Sequence, residues 1–102
     1  MVNVKSVFYT YGAFAAHKED GSVVVWGSTG YGGDAGEKQS KLTDVIQVVK
    51  TKQAFAARRK NGEDVVWGNK VYHLVALMKL HQKVSHIEIS YVYLLLHQKE
   101  AF

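Results

Sequence analysis

Residues 13–27 read AFAAHKEDGSVVVWG, and residues 54–68 read AFAARRKNGEDVVWG. The two stretches are 41 residues apart without a gap, and the same spacing relates flanking positions, namely Val4 and Val45, Thr10 and Thr51, and Tyr31 and Tyr72. So many matches in one register indicate an internal duplication. A duplication of this period is typical of architectures in which one supersecondary unit recurs and neighbouring units stack on each other.

Each unit predicts three short antiparallel strands. In the first unit these are residues 4–9, 13–18 and 22–26, which are rich in β-branched and aromatic residues or in alanine. A type I turn at Lys18–Ser22, with glycine in a left-handed conformation, joins the second strand to the third. The equivalent turn of the second unit is Lys60-Asn61-Gly62. We predict structural roles, in the turns and in the packing of each unit, for six repeated residues: Gly21, Gly62, Trp26, Trp67, Gly27 and Gly68.

The segments that follow the two units differ in composition. Residues 28–36 are glycine-rich and predict a loop, followed by one helical turn at residues 37–42. In the second unit the glycines are absent, and apolar side chains recur at helical spacing. This pattern predicts a short amphipathic helix near residues 71–82.

An eroded third copy of the unit begins at Val84, and the sequence ends at Phe102 before a third Val-Val-Trp-Gly strand. With 102 residues, 47% of them hydrophobic, the chain fits one folded domain and no second one. We therefore expect a single domain, residues 1–102, made of units 4–44 and 45–83 and a truncated unit 84–102.

Composition limits the chemistry and the setting of the protein. It has no cysteine, which excludes disulfides, thiolate catalysis and cysteine-ligated zinc. The N-terminal residues lack the apolar region of a secretory signal, and no stretch reaches the roughly 18 apolar residues of a membrane-spanning helix. A net charge of +4 is compatible with an acidic partner without identifying one. The sequence leaves the localisation open.

Residues 13–27, with the glycine-rich segment Gly30–Gly36 after them, resemble the repeat of the regulator of chromosome condensation family. That repeat joins a small-residue strand, an Asp-Gly turn, a strand ending in an aromatic residue and glycine, and a glycine-rich loop. The resemblance is to a short-period variant and extends over residues 4–72, and more weakly over residues 84–102. It implies a mainly β fold of tandem three-stranded sheets that resemble propeller blades. Because a closed propeller has about four to eight blades, about two and a half units imply an incomplete, propeller-like array.

An incomplete array leaves an apolar face and strand edges that need a partner. We therefore predict a non-enzymatic interaction or structural module that docks with protein subunits of a larger assembly or forms a homo-oligomer. By analogy with algal members of the short variant, an organellar assembly such as a photosynthetic one would suit it. Contact residues are expected where the chain departs most from the repeat: Tyr72, Leu74, Val75, Leu77 and Met78 in the helix, and Tyr91, Tyr93, Leu94 and Leu96 in the terminal strand.

Two alternative binding functions stay open at this point. Basic side chains on two neighbouring strands of the second unit predict a patch for nucleic acid or another anion: Lys50, Lys52, Arg58, Arg59 and Lys60. The competing interpretation is a solvated strand face whose charges block edge pairing. Trp26 and Trp67 could stack a carbohydrate, or they could be packing residues at equivalent repeat positions.

No catalytic, metal or cofactor site is predicted. Residues 30–38 are glycine-rich but lack both the Walker spacing and the dinucleotide-binding fingerprint. The five histidines provide no helical pair at the spacing of a zinc site. The sequence also contains no nucleophile elbow, and its scattered carboxylates form no acid–base pair. We therefore expect a protein that is not an enzyme and has no cofactor.

Overall fold

The computed structural model describes residues 3–81, which are mainly β with one short helix. Six strands form two antiparallel three-stranded sheets, each in sequence order. The first sheet consists of β1 (Val4–Tyr9), β2 (Ala13–Lys18) and β3 (Val23–Gly27). The second consists of β4 (Val45–Lys50), β5 (Ala54–Arg59) and β6 (Asp64–Gly68), and is followed by α1 (His73–His81). The predicted mainly β fold with repeated three-stranded sheets is confirmed, and the unit predicted at residues 84–102 lies outside the described residues.

The connecting segments contain more helix than the sequence predicts. The expected loop includes a 3-10 turn at Thr29–Tyr31, and the expected helical turn is a 3-10 helix at Gly36–Lys41. The helix predicted near residues 71–82 is preceded by a 3-10 turn at Lys70–Tyr72. That turn begins where the side chain of Asn69 accepts a hydrogen bond of 3.0 Å from the backbone N–H two residues later.

The hairpin turns have the same geometry in both units. Gly21 and Gly62 have φ angles of +89° and +90°, which confirms the predicted left-handed glycines. The preceding side chain, Asp20 or Asn61, accepts a hydrogen bond of 2.9 Å from the backbone N–H two residues later. Asp and Asn favour turns through this bond, so both side chains have a structural role in the hairpins.

Each sheet has two distinct faces, because successive side chains of a strand point to opposite sides. We define the front face of the first sheet as Val7, Tyr9, Phe14, Ala16, Val24 and Trp26, and its back face as Phe8, Ala13, Ala15, Val23 and Val25. By the same register, the front face of the second sheet is Val48, Lys50, Phe55, Ala57, Val65 and Trp67, and its back face includes Val49, Ala56 and Val66.

The main core lies where the back face of the first sheet packs on the front face of the second. Ala13, Ala15 and Val23 from the first sheet form one buried cluster with six side chains of the second, namely Val45, Val48, Phe55, Ala57, Val65 and Trp67. Ala35 and Leu42, from the segment that connects the sheets, complete this cluster. The two units therefore stack with the back face of the first sheet against the front face of the second.

Helix α1 packs on the back face of the second sheet. Ala76 and Leu80 of the helix form a second buried cluster with Ala56, and Val49 and Val66 pack against it. At the rim, Lys79 Nζ donates a 2.7 Å hydrogen bond to the backbone carbonyl of Lys50. Burial against the sheet, with the nearby charge of Lys50, lowers the pKa of Lys79. The helix thus covers the back face of the second sheet.

Backbone hydrogen bonds tie the two units together beside the apolar core. Val45 N–H donates to the carbonyl of Gly21 at 2.8 Å, and Tyr11 N–H donates to the carbonyl of Lys52 at 2.9 Å. The buried side chain of His17 donates from Nε2 to the carbonyl of Val45 at 2.8 Å. These bonds satisfy polar groups that the stacking removes from water, which is the condition for burying them.

The packing of α1 gives a paired test in one helix. Leu80→Ala should lower the free energy of unfolding by about 2–4 kcal/mol, because Leu80 is fully buried against the second sheet. Leu74→Ala is the control, because Leu74 is exposed on the same helix, and its effect should stay within about 0.5 kcal/mol. Urea denaturation measures both values, and equal losses would contradict the observed packing of α1.

Candidate docking face

The front face of the first sheet is an exposed apolar surface. Three aromatic side chains, Tyr9, Phe14 and Trp26, lie in one row across β1, β2 and β3. The next row contains Val7 and Val24 on either side of an alanine. The exposed fractions are 52% for Val7, 60% for Tyr9, 42% for Phe14, 38% for Val24 and 40% for Trp26. Contiguous exposed apolar surfaces are typical of interaction sites in proteins, which makes this face the candidate site.

The same aromatic pair is built in both units. The rings of Phe14 and Trp26 are stacked with centroids 5.5 Å apart and an interplanar angle of 14°. The rings of Phe55 and Trp67 are stacked with centroids 5.4 Å apart and an angle of 27°. Each pair joins directly opposed residues of neighbouring strands, where cross-strand side chains contact each other most closely. The predicted equivalence of the two tryptophans therefore holds for their nearest aromatic partner.

Solvent exposure separates the two pairs. Trp67 is 2% exposed and Phe55 is fully buried, whereas the equivalent residues Trp26 and Phe14 are 40% and 42% exposed. The indole N–H of Trp67 donates to the carbonyl of Gly32 at 3.2 Å. The glycine-rich loop of the first unit therefore covers the aromatic pair of the second, and among residues 3–81 no loop covers the pair of the first.

Close approach explains why this loop contains glycine. A Cβ atom on Gly32 would lie 2.6 Å from the ring of Phe55, and Gly32 also has a φ angle of +101°. Thr10 Oγ1 anchors the loop by donating to the carbonyl of Tyr31 at 2.8 Å. A side chain at position 32 would separate the loop from the aromatic pair, so glycine is required there by space as well as by conformation.

Gly27 and Gly68 confirm the predicted structural role of the glycine that follows each tryptophan. They end β3 and β6 with φ angles of +112° and +105°. A Cβ atom on Gly27 would lie 2.6 Å from the carbonyl oxygen of Gly12, and one on Gly68 would lie 2.8 Å from that of Gln53. Both glycines allow the end of one strand to pass close to the start of its neighbour.

The helical residues predicted as contacts are divided between the interior and the surface. Tyr72 and Val75 are buried within the fold, so they are not part of an exposed docking surface. Leu77 and Met78 are half-buried, and Leu74 is exposed. Most of the apolar side of α1 is used on the second sheet. The other predicted contacts, Tyr91, Tyr93, Leu94 and Leu96, lie outside the described residues.

The basic residues do not form one continuous surface. Lys50 lies on the front face of the second sheet, with Nζ 4.6 Å from the ring centroid of Tyr9. Arg58 and Arg59 are adjacent in β5, so their side chains leave opposite faces of the strand. In the strand register Lys50 and Arg59 are at opposite ends of the β4–β5 pair, on the order of 15 Å apart. Lys52 and Lys60 are exposed in the flanking turns.

Acidic partners engage both arginines. Arg58 Nε lies 3.2 Å from Asp64 Oδ1, and His81 Nε2 lies 2.8 Å from the other oxygen of that carboxylate. Arg59 lies 2.8 Å from Glu63, and Lys41 lies 2.9 Å from the second oxygen of Glu63. Hydrogen bonds from these two cations lower the pKa of the Glu63 carboxyl. The arrangement favours the interpretation of a solvated, internally paired strand face over that of an anion-binding patch.

The burial of Trp67 also bears on carbohydrate binding. A sugar stacks on an accessible aromatic face, and Trp67 has none because the first unit covers it. Only Trp26 presents an exposed indole. The prediction that both tryptophans stack a carbohydrate is therefore wrong for Trp67.

Within residues 3–81, no group of three or more potential metal-ligating side chains comes together. Among residues 3–81, the helices are too short to span a membrane.

Comparisons with protein-family models, curated proteins and solved structures found no match.

Sequence reasoning missed the front face as a candidate site. Val7, Phe14, Val24 and Trp26 belong to the regular repeat, whereas the predicted contacts were placed where the chain departs from it. The loops differ between the units in a way that indicates which aromatic pair is covered. Gly32 and Gly33 of the first unit correspond to His73 and Leu74 of the second. Only the first unit has the loop that can cover an aromatic pair, and it covers the pair that follows it in the chain.

Tryptophan accessibility should differ between two single-tryptophan variants. In Trp67→Phe the remaining Trp26 should be quenched by acrylamide several-fold more strongly than the remaining Trp67 in Trp26→Phe, because only Trp26 is exposed. Stern–Volmer constants measured on the folded proteins provide the test. Similar constants in the two variants would contradict the difference in coverage.

The covering loop allows a second paired test. Gly32→Ala should lower the free energy of unfolding by about 2 kcal/mol or more, because the methyl group meets Phe55 and the φ angle is positive. Gly30→Ala in the same loop is the control, because a Cβ atom there has no neighbour within 4 Å. Thermal and urea unfolding measure both variants. A loss in Gly30→Ala as large as that in Gly32→Ala would show that the contact with Phe55 is not the cause.

Proposed function

We propose that this protein is a non-enzymatic interaction or structural module that joins a larger protein assembly through the front face of its first sheet. One observation carries the proposal. The Phe14–Trp26 pair is exposed at a position where its counterpart, Phe55–Trp67, is buried under another unit. The same surface is therefore covered in one unit and open in the other.

The free energy gained by burying the front face can be compared with the cost of association. Complete burial of a large apolar side chain contributes about 1.5–3 kcal/mol. Five half-exposed side chains on this face would therefore contribute on the order of 5 kcal/mol. Association costs about 4–15 kcal/mol in lost freedom of motion. A stable complex thus needs contacts beyond the flat apolar face, and in the second sheet the glycine-rich loop and backbone hydrogen bonds provide such contacts.

We also propose that the two sheets are incomplete propeller-like units of the regulator of chromosome condensation type. The 41-residue spacing of the units supports this assignment. So do the stacking of consecutive sheets through one apolar cluster and the glycine after each tryptophan. In this proposal the chain contributes stacked units to an array that other subunits extend.

A photo-crosslinking amino acid on the front face tests the docking proposal. Benzoylphenylalanine at position 9 replaces an exposed aromatic side chain on the edge strand β1 of the front face, and the same residue at position 74, exposed on α1, is the control. In cells of the source we expect one defined protein adduct from position 9 and not from position 74.

The specificity of that adduct has its own control. Phe14→Ser combined with Trp26→Ser should abolish the adduct at position 9, because the apolar face is lost. Phe14 and Trp26 are partly exposed, so both variants should keep the core between the sheets. An adduct that persists in the double variant, or that forms equally at position 74, would show that the front face is not the docking site.

A further inference from the structure

We propose that the occupant of the front face is a three-stranded unit of the same kind, carried by a partner protein, which stacks on the first sheet as the first sheet stacks on the second. This inference rests on the proposed function and specifies the partner. The partner unit would present a back face with a small-residue central strand, and a loop with glycine at the position of Gly32.

The core between the two sheets shows what fits such a front face. Phe55 and Trp67 are covered by the alanines of β2, Ala13 and Ala15, both without exposed surface. Small side chains on the covering strand let the bulky aromatic pair of the next sheet approach closely. Phe14 and Trp26 form the same pair with nearly the same centroid distance. The surface they present therefore matches a back face like that of β2.

The loop contact adds a polar requirement. Trp67 donates its indole N–H to the carbonyl of Gly32, at the same place where a side chain would strike Phe55. The equivalent donor on the open face is the indole N–H of Trp26. A partner loop must therefore offer a backbone carbonyl without a Cβ atom in the way, which glycine alone provides.

Backbone groups on the first unit extend the match. Across the interface between the two units, Val45 donates a hydrogen bond from its backbone N–H, and the backbone carbonyls of Val45 and Lys52 each accept one. Their counterparts 41 residues earlier are Val4 and Tyr11. A stacked partner unit would bond these same groups, which supplies the polar contacts that the apolar face lacks.

Residues 3–81 of a second copy of this chain do not offer the required surface. Its first back face is packed on its second sheet, and its second back face is covered by α1. Its glycine-rich loop is bound to Phe55 and Trp67. The position equivalent to Gly32 in its second unit is His73, whose Nε2 donates to the carbonyl of Gly68 at 3.1 Å. Residues 3–81 of a second copy therefore have both back faces and the glycine-rich loop engaged, which favours a different protein as the source of the matching surface.

The stack has a direction as a consequence. A unit can be added on the front of the first sheet, whereas α1 fills the equivalent place behind the second sheet. Within residues 3–81 the chain thus accepts a neighbour at one end and closes the stack at the other. Terminal units with a different outer layer are typical of repeat arrays.

A tandem duplication tests this inference on the full chain. Because the units follow each other without a gap, a second copy of residues 4–44 can be inserted directly before Val4. In the added unit Trp26→Phe removes its indole, so the fluorescence reports only the original Trp26 and Trp67. We expect the added unit to cover the original Trp26 and to reduce its acrylamide quenching constant several-fold, to the level of Trp67.

The control is Gly32→His in the added unit, which introduces the residue found at the equivalent position of the second unit. Its side chain should hold the added loop away from the original Phe14, so quenching of the original Trp26 should return to the value of the parent chain. Circular dichroism shows whether the added unit folds. A folded or unfolded addition that leaves Trp26 as accessible as in the parent would overturn the inference, as would equal protection in the control.

Two further outcomes separate the inference from the proposed function. Failure of the added unit to protect Trp26, together with a specific adduct at position 9 of the parent chain, would leave the docking face intact and reject this class of partner. Sedimentation of the parent chain tests self-association. A dimer that protects Trp26 in proportion to its concentration would show that a second copy occupies the face, and would overturn the inference in the same way.

Discussion

The contact between the first unit and the Phe55–Trp67 pair is the interaction on which the rest of the structure depends. One repeat unit cannot bury its apolar face alone and depends on a stacked neighbour. Stacking buries the front of the second sheet against the alanines of β2 and under the loop at Gly32. Because the sequence of the unit is repeated, it creates the same aromatic pair at Phe14 and Trp26, where residues 3–81 provide no such cover.

The two ends of the stack differ in what covers them. Behind the second sheet, the glycines of the connecting loop are replaced by residues that form α1, and Ala76 and Leu80 cover the back face. In front of the first sheet, the Phe–Trp pair of the repeat is kept and stays exposed. This asymmetry is the basis for proposing one docking face. It also gives the two-unit stack a direction, since the first unit covers the aromatic pair of the second.

Much of the fold could be predicted from local sequence, because strand alternation and turn chemistry act over a few residues. The bounds of β1 and β2 and the left-handed Gly21 and Gly62 agree with the predictions. The exposure of the front face of the first sheet could not be predicted in this way, since Phe14 and Phe55 lie in the same Ala-Phe-Ala-Ala stretch. Which pair is buried depends on the order in which sheets stack. The basic residues do not share one face for a local reason: adjacent arginines point to opposite faces, and the acidic residues after the turn pair with them.

The central claim is that the loop of the first unit lies on the aromatic pair of the second, and its most direct test is nuclear Overhauser spectroscopy. The account predicts cross-peaks between the Hα protons of Gly32 and the ring protons of Phe55, with Gly32 shifted upfield by the ring. It predicts none between Gly32 and the ring of Phe14 in the isolated protein. Cross-peaks from Gly32 to Phe14, or the absence of any contact with Phe55, would contradict the stacking order described above.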